Sequence, residues 1–442
     1  MSRHRPTGRW VGRFLDPTDR RILSLAVPAL GALAVEPLYV LVDTAIVGRI
    51  GTAQLAGLAL AATVLSFVVV GSNFLAYGTT ERVARRVGAG DQPGAADVGV
   101  QALWLSVLIG MPAAILLAVA ARPICRLLGG SGDVLRHAGD YLQISAVGIP
   151  FVLVTLAAQG VLRGVSAYRL PLVILFVSNL VNTALEIVFV FGLDLGIPGS
   201  AWSTVIAQAL AAVGFAVAIR SHLLPAATRR PTRAGIAPLA NAGRHLMLRV
   251  GAMLAVFGGS TAIAARIDEP TLAAHQIVVS FFTFLALSLD ALAVPAQTLV
   301  AEDLGRGSVA TARQLASRAV RLSLAAATAV AVVVAASAPW LPHAFTGDGA
   351  VASRTTAALW FLAVMMFPAA IAFAHDGVLI GAGDYRFLGR AAVGYLVAVV
   401  PLGVLVLVFR DLGIAGIWAA FTVWMVLRAA ANHHRTNRVL GV

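Results

Sequence analysis

Acids and amides stand inside two strongly apolar stretches of the first half of the sequence. They form two stripes with spacings of three and four residues: Glu36, Tyr39 and Asp43, followed by Asn179, Asn182 and Glu186. Residues at this spacing lie on one face of an α-helix. A carboxylate inside a membrane costs about 2.5–3.5 kcal/mol on insertion scales, so each such residue indicates a function.

The chemistry suited to these stripes is the binding and release of a proton or another cation. Desolvation favours the neutral form of a carboxylic acid, so a buried carboxyl takes up a proton closer to neutral pH. Asp43, Asn182 and Glu186 are therefore a candidate proton site, which could instead attract a cationic substrate. The alternative is a polar network that only holds helices together, because polar side chains also stabilise helix packing in membranes.

Further polar residues inside apolar stretches are secondary candidates. Asp290, Asp376 and Glu36 are possible additional acidic sites. Asp376 could face a central cleft, or it could pair with His375 or with an arginine of its own half. Glu36 could instead form a structural hydrogen bond to a neighbouring helix. Pro28 lacks an N–H group and makes a bend of its helix easy, although a static kink is the other interpretation.

The elements that carry these residues must be membrane-spanning helices. The 442-residue chain is 59% hydrophobic and 12% charged, with a mean hydropathy of +0.87, whereas soluble domains are about a quarter charged. Lipid requires helices for spans of this length, so we predict an all-α polytopic membrane protein. The twelve predicted spans are 22–47, 53–79, 94–121, 134–162, 170–193, 198–221, 243–265, 271–300, 312–338, 352–381, 387–409 and 413–432.

The charged residues exclude several functions and orient the chain. All 33 basic residues are arginines, and the formal net charge is +13. Without lysine, P-loop chemistry and Schiff-base catalysis are excluded. Most arginines lie between spans on the side of the termini, so the positive-inside rule predicts cytoplasmic termini and explains the charge without nucleic acid. The single cysteine, Cys125, offers neither a disulfide nor a metal cluster.

The sequence repeats itself with a constant offset of 217 residues. Three stretches match without gaps: Arg49-Ile50 with Arg266-Ile267, Tyr168-Arg169 with Tyr385-Arg386, and Asp194-Leu195-Gly196-Ile197 with Asp411-Leu412-Gly413-Ile414. Each half holds six spans that enter the membrane in the same direction. The repeat therefore predicts two six-helix lobes related by a pseudo-two-fold axis along the membrane normal, with a central cleft between them.

This repeat sets the predicted domain boundaries. A basic cytoplasmic N-terminus at 1–21 precedes the first lobe at 22–221. A basic, proline-containing cytoplasmic linker at 222–242 joins it to the second lobe at 243–432, and a cytoplasmic tail follows at 433–442.

The repeat also serves as an internal control for the polar stripes. In the shifted alignment three polar positions lose their acid or amide: Asp43 corresponds to Ser260, Asn182 to Val399 and Glu186 to Gly403. A purely structural stripe would be expected in both halves. The asymmetry predicts that the first lobe carries the proton or cation site.

Three segments resemble the multidrug and toxic compound extrusion (MATE) family, closest to its DinF-like branch. PLYVLVDTAIVGRIGTAQLAG at 37–57 is similar to the first-helix signature, and LAAHQI at 272–277 to the eighth-helix signature. GIPGSAWST at 196–204, before the sixth helix, also fits. The likeness spans nearly the whole chain and specifies the family more strongly than the substrate.

The resemblance implies a cation-coupled exporter in which Asp43 is the central coupling residue. The family's fifth-helix amide and acid correspond to Asn182 and Glu186, and the sixth-helix threonine of its polar network corresponds to Thr204. The bending proline of the first helix corresponds to Pro28.

The coupling ion is expected to be the proton, with sodium as the alternative. Sodium-coupled members of another branch use a glutamate in the seventh helix, whereas residues 244–265 contain no acid here. Asp376 resembles the tenth-helix acid of that branch, which keeps sodium open.

We expect a secondary active transporter, not an enzyme, that exports amphipathic, cationic small molecules across the cytoplasmic membrane by alternating access. It is expected to work as a monomer in the lipid bilayer, without a cofactor or a nucleic-acid partner. A flippase for a lipid-linked sugar precursor is the alternative, although spans nearly free of arginine at their centres disfavour pyrophosphate binding. A membrane-embedded enzyme or receptor is disfavoured, because no metal-ligand cluster and no nucleophile with a nearby base is evident.

Overall fold

The computed structural model describes residues 16–441, which form fourteen α-helices joined by short turns. The helices are α1 (Pro17–Gly48), α2 (Thr52–Ser72), α3 (Phe74–Gly88), α4 (Gln92–Leu127), α5 (Gly132–Ala146), α6 (Ile149–Gly164), α7 (Arg169–Ile187), α8 (Gly196–Leu223), α9 (Arg233–Ile267), α10 (Glu269–Gly305), α11 (Val309–Ser337), α12 (Gly349–Gly381), α13 (Tyr385–Val408) and α14 (Gly413–Val439). Within these residues the structure contains no strand.

The helices confirm the predicted membrane-spanning, all-α fold. Eleven helical segments are long and apolar enough to cross a membrane, and the bent pair α5 and α6, with 51° between them, makes a twelfth. α2 and α3 together form one such segment. α7 continues into the π-helical turn Val188–Gly192 and completes the fifth span.

The first span begins earlier than the sequence predicted, because α1 has its own start signal. The Asp16 carboxylate accepts a hydrogen bond from the Thr18 N–H at 3.0 Å, and Asp19 accepts one from the Asp16 N–H at 3.2 Å. This reciprocal capping box, followed by proline at the first helical position, fixes the helix start at Pro17. Of the predicted basic N-terminus at 1–21, residues 1–15 lie outside the described residues.

Two segments predicted as linker and tail are largely helical. α9 begins at Arg233 because Thr232 caps it, accepting a hydrogen bond from the Gly235 N–H at 3.2 Å. The end of the predicted linker at 222–242 is therefore helix, and it buries Leu239 in the first-lobe core. α14 continues through most of the predicted tail at 433–442, because it buries Thr436 on one face.

The two lobes touch most closely where α3 crosses α10. A Cβ atom added at Gly88 would overlap the Glu302 carbonyl oxygen, and one added at Gly305 would overlap the Arg85 carbonyl oxygen. Gly88 and Gly305 are 217 residues apart, so the two contacts are reciprocal. Only glycine lets the two backbones approach this closely, and the contact bears out the repeat found in the sequence.

Two tyrosines bridge the lobes in the same reciprocal manner. The Tyr168 hydroxyl lies 2.6 Å from the Thr298 hydroxyl of the second lobe and 3.1 Å from the Val294 carbonyl oxygen. The Tyr385 hydroxyl donates to the Glu81 carboxylate of the first lobe at 3.1 Å. Tyr168 and Tyr385 occupy equivalent repeat positions, and so do Glu81 and Thr298.

The beginning of α1 joins the second lobe as well. Arg318 of α11 forms an ion pair with Asp19 at 3.0 Å and another with Asp16, while Arg21 pairs with Glu302 at 2.8 Å. Farther along α1, apolar side chains are exposed, such as Leu41 at 66%. Among the described residues, the polar contacts between the lobes thus gather in the half of the molecule that carries the termini.

Candidate functional site

The predicted acid of the first span lies at the centre of a buried polar cluster. Asp43 is 5% exposed on α1, and its carboxylate accepts a hydrogen bond from the Ser200 hydroxyl at 2.9 Å. Ser200 is at the start of α8, directly after the tight turn at Gly196, whose φ of 59° favours glycine. The turn therefore sets the start of the sixth span against α1.

Predicted residues from three helices meet beside Asp43. The Tyr39 hydroxyl of α1 lies 2.9 Å from the Thr204 hydroxyl of α8, and the Asn182 amide of α7 donates to that same oxygen at 3.4 Å. Ser203 donates to the Asn182 carbonyl oxygen at 3.2 Å. The two stripes identified in the sequence thus face each other, with α8 supplying the hydroxyl groups between them.

Glu186 is the least satisfied member of the cluster. Its side chain is completely buried and faces the Asp43 carboxyl. No group in residues 16–441 donates a hydrogen bond to either Glu186 oxygen, and no arginine or histidine of that range pairs with either acid. Two adjacent carboxyls cannot both ionise cheaply in such a place, so the pair is suited to hold a shared proton or a cation.

A cavity of about 260 Å³ opens next to this cluster inside the first lobe. Glu36 and Asn179, both predicted site residues, line it together with Tyr39, Asn182 and Thr204. Three further amide side chains, one cation and three hydroxyl groups complete the polar part of its wall: Asn73, Gln159, Gln208, Arg163, Tyr77, Thr155 and Ser178. The cavity therefore offers one acid, one base and several amides to a bound molecule.

Pro28 lies inside α1, near the lobe interface. Its neighbour Ala29 packs with Tyr168 and Val294, which belong to the tyrosine bridge between the lobes. α1 runs as one continuous helix past Pro28 and Pro37. A bend at Pro28 therefore remains a prediction.

The remaining predicted acids lie in the second lobe and do not line this cavity. Asp376 forms ion pairs with Arg249 at 2.6 Å and Arg428 at 2.7 Å, and accepts a hydrogen bond from the Asn432 amide at 2.7 Å. The sequence left three surroundings open for Asp376: a central cleft, His375, or an arginine of its own lobe. The structure shows the pairing with arginines of its own lobe. Asp290 is half-buried and interacts electrostatically with Arg249 and Asp376.

The arginines that meet Asp376 occupy the place of the first-lobe cavity. Three residues that line this cavity stand 217 positions before the two arginines and Asp376. Ala32 corresponds to Arg249, Gln159 to Asp376 and Ala211 to Arg428. The space left among the charged side chains is only about 10 Å³. The second lobe is therefore filled with a neutralised ion cluster where the first lobe is hollow.

Sequence reasoning missed several of these residues. Ser200 and Ser203 were not predicted, although they share one face of α8 with the predicted Thr204, so their spacing could have revealed the hydroxyl groups of the site. Arg428, near the end of the last span, was also not predicted, and it is only 3% exposed. An arginine near the end of a span usually extends its head group to water, so its inward direction leaves no signal in the sequence.

No group of three or more histidine, cysteine, aspartate or glutamate side chains in the described chain is arranged to hold a metal ion. The carboxyls, amides and hydroxyls of the first-lobe cluster are groups that can bind and release an ion.

Comparisons with known proteins show the family and the fold of the chain. The family model MatE matches residues 28–188 and 251–405. The chain is 29% identical to Protein DETOXIFICATION 44, chloroplastic, of Arabidopsis thaliana, covering 95% of this chain and 82% of the relative. It is 28% identical to DNA damage-inducible protein F of Escherichia coli, covering 94% and 91%. A solved structure, described as MATE in the bent conformation, superposes with a TM-score of 0.90 at 20% identity, covering 96% of each chain.

Proposed function

Because this chain belongs to the MatE family of multidrug efflux transporters, and is thus a secondary transporter and not an enzyme, we propose that it exports amphipathic, cationic small molecules in exchange for protons. The coupling site is the first-lobe cluster around Asp43 and Glu186. The substrate site is the adjacent cavity that Glu36 lines.

The observation that carries this proposal is the buried contact between two carboxyls without a basic partner. With one proton shared, the Asp43 and Glu186 pair carries a single negative charge, and with two protons it is neutral. Loss of protons makes the first lobe attractive to an organic cation, and uptake of protons removes that attraction. Proton and substrate then compete for the same lobe, which is the requirement for exchange.

α1 links this competition to the relative position of the lobes. Asp43 and Tyr39 lie in its second half, and its beginning is tied to the second lobe through Arg318. A change in how Asp43 is held therefore reaches the lobe interface along one helix. Pro28 lies between the two ends, at the position where a bend requires the least energy.

Sodium is the second candidate for the coupling ion. The carboxylate of Asp43 and the oxygens of Asn182 and Thr204 are ligands that a hard cation accepts. At Asp376 a sodium ion is disfavoured, because two arginines already neutralise that acid. A sodium site would therefore have to use the first-lobe cluster.

We also propose the cytoplasmic membrane as the location, with both termini in the cytoplasm. The excess of arginines on the side of the termini supports this orientation. The contacts between the lobes gather on that same side. In this conformation the cleft between the lobes would therefore open away from the cytoplasm.

The test is substrate efflux from proteoliposomes in which proton and sodium gradients are imposed separately. Ethidium serves as the cationic probe. We expect a proton gradient alone to drive exchange and Asp43→Asn to abolish it. Asp133→Asn, the same change at an exposed ion pair, should transport as the wild type does.

Two outcomes would contradict the proposal. Exchange that follows only a sodium gradient would replace the proton as the coupling ion. Proton-driven efflux of wild-type rate by a folded Asp43→Asn protein would remove the carboxyl pair from the mechanism.

A further inference from the structure

The second lobe contains an apolar groove of about 280 Å³ between α9, α13 and α14. Aliphatic side chains, glycines and one phenylalanine form nearly all of its wall, including Val256, Gly259, Ile263, Val399, Gly403 and Phe421. Its two polar lining residues are Ser260 and Arg266. Within the described chain it is as large as the first-lobe cavity but lacks the amides and the acid.

This groove is the repeat counterpart of the carboxyl cluster. Residues of its wall stand 217 positions after the polar site residues of the first lobe and are mostly apolar. Ser260 corresponds to Asp43, Val399 to Asn182, Gly403 to Glu186, Ile417 to Ser200 and Phe421 to Thr204. The second lobe lacks the acids and amides at these positions, yet its larger side chains do not fill the groove. A bound molecule of apolar character would account for a space that is kept open.

Ser260 gives the groove no free hydrogen-bond donor. Its hydroxyl donates to the Phe257 carbonyl oxygen at 2.7 Å and lies 3.1 Å from His275 Nε2. Since this hydrogen already has an acceptor, the hydroxyl oxygen accepts from the imidazole N–H. The floor of the groove therefore offers a ligand a single hydroxyl oxygen and no acid, amide or free donor.

Arg266 supplies the only charge in the described wall of the groove. It lies in the last turn of α9, is exposed, and donates to the Ala262 carbonyl oxygen at 2.9 Å. None of the ion pairs found in residues 16–441 involves Arg266. This cation is available to an anionic group at the mouth of the groove.

The length of the groove matches one leaflet of a bilayer. From Ala255 to Arg266 the lining residues of α9 extend for about 16 Å at a rise of ~1.5 Å per residue. Half of a bilayer's hydrocarbon core is about 15 Å. Arg266 lies at the end of α9 farthest from the linker, on the side opposite the termini. A chain that enters beside Arg266 would reach the middle of the membrane.

The groove lies at the edge of the second lobe. α13, which forms one wall, packs against α9, α12 and α14 of the same lobe. Val400 and Val404 line the groove and are still 53% and 52% exposed. In a membrane this edge is covered by lipid.

We propose that the groove binds one acyl chain of an anionic phospholipid from the leaflet opposite the termini, with the lipid phosphate against Arg266. The lipid is a structural ligand of the second lobe. It lies at the position that corresponds to the proposed coupling site of the first lobe.

Two pairs of matched variants test the site. Gly259 lines the groove and has no atom within 4 Å of an added Cβ, so Gly259→Phe fills the groove without a backbone clash. Gly258 has equal space but does not line the groove, so Gly258→Phe is its control. Arg266→Ala removes the cation, and Arg49→Ala is its control at the equivalent position of the first lobe.

The measurement is native mass spectrometry of the detergent-solubilised protein after addition of phosphatidylglycerol or phosphatidylcholine. We expect one retained phosphatidylglycerol on the wild type, and at least about tenfold less on Gly259→Phe than on Gly258→Phe, because the phenyl ring displaces several methylene groups. Arg266→Ala should retain about fivefold less phosphatidylglycerol than Arg49→Ala, with phosphatidylcholine unchanged.

Equal retention by both members of either pair would overturn the proposal. So would loss of tetraphenylphosphonium binding by Gly259→Phe with retained phosphatidylglycerol, since the groove would then belong to the transported cation. Arg266 is exposed, so its variant gives a result even if Gly259→Phe does not fold.

Discussion

Glu36 is the acid that we expect to recognise the substrate's charge. It lines the first-lobe cavity, while Asp43 lies about 10 Å farther along the same helix, at ~1.5 Å per residue. Asn179 and Gln159 in the same wall offer only neutral amides, and Arg163 repels a cation. Glu36 is therefore the acid of the cavity wall that we expect to attract a cation without belonging to the carboxyl pair.

Glu36→Gln separates substrate recognition from coupling. We expect the apparent affinity for tetraphenylphosphonium to fall about tenfold, which corresponds to ~1.4 kcal/mol of lost attraction. The number of protons exchanged per cation should stay the same. The measurement is equilibrium binding together with proton flux in vesicles, and an unchanged affinity would show that Glu36 does not face the bound cation.

Asp376 is expected to be a stability residue. It is the acid that forms ion pairs with both Arg249 and Arg428 inside the second lobe. Asp376→Ala removes the ion-pair partner of both buried arginines, so the free energy of unfolding should fall by about 3–5 kcal/mol. Thermal unfolding in detergent measures this loss, and Asp133→Ala at an exposed pair should unfold within a degree or so of the wild type.

A triple variant distinguishes lost pairing from lost packing. Arg249→Ala, Asp376→Gln and Arg428→Ala together install the residues of the first lobe: Ala32, Gln159 and Ala211. This change removes both arginines together with Asp376, so the triple variant should be more stable than Asp376→Ala alone. If it were less stable, the arginine side chains would matter through their volume and their contacts with Trp424 and Phe373.

At the scale of single elements, the start of α1 depends on charge. The hydrogen bond from the Thr18 N–H, with a further contribution from Arg318, holds the pKa of Asp16 below its usual value. The stabilisation is therefore complete above the ordinary aspartate pKa of about 3.9 and is lost as the pH falls through the lowered value.

Asp16→Asn tests this contact without removing the helix cap, since asparagine caps helices equally well. We expect the variant to unfold at a lower temperature than the wild type at pH 7. The difference should shrink as the pH falls below about 3.9 and disappear only once the pH lies below the lowered pKa of Asp16, where the carboxyl is neutral in the folded protein as well. A difference that is constant over this range would assign the effect to the cap instead of the charge.

The crossing of α3 and α10 depends on two glycines. Gly88→Ala places a methyl group against the Glu302 backbone, which cannot rotate away as a side chain can. The helices must separate, at a cost of about 1–3 kcal/mol. The arrangement closed at the termini should therefore lose population.

Distances between spin labels at Asp91 and Ser308, in a protein whose buried Cys125 is replaced by serine, measure this separation. We expect the distance to lengthen in Gly88→Ala and in Gly305→Ala. Gly71→Ala, with no atom within 4 Å of its Cβ, should leave it unchanged. An unaltered distance in both interface variants would show that the crossing does not hold the lobes together.

At the scale of the whole molecule, the architecture follows from the sequence to a large extent. Apolar stretches predict the spans, and the 217-residue offset predicts two lobes, because both signals are local in the chain. The facing stripes of Asp43 and Asn182 follow from helical spacing. α9 and α14 are longer than predicted. The prediction counted apolar residues only, so it missed the amphipathic turns that continue these helices beyond the apolar span.

The filling of the second lobe could not be predicted in the same way. Arg249 and Arg428 lie 179 residues apart in the chain, and the direction of each side chain depends on Asp376 from a third helix. Ser200 joins the site because the turn at Gly196 sets its helix against α1. Such contacts depend on how helices are placed, which periodicity does not specify. The contrast between the acidic cavity of the first lobe and the ion cluster that fills the equivalent place in the second therefore emerges only in three dimensions.

The reciprocal glycine and tyrosine contacts have a consequence for the origin of the molecule. In each case a residue of one half contacts a residue of the other half, and the two repeat counterparts contact each other in the same way. This is the pattern of an isologous dimer interface. A six-helix ancestor that paired with itself would have used these same positions. After gene duplication and fusion, the seam between the halves stayed two-fold symmetric, and the interiors, which no longer had to match, were free to diverge.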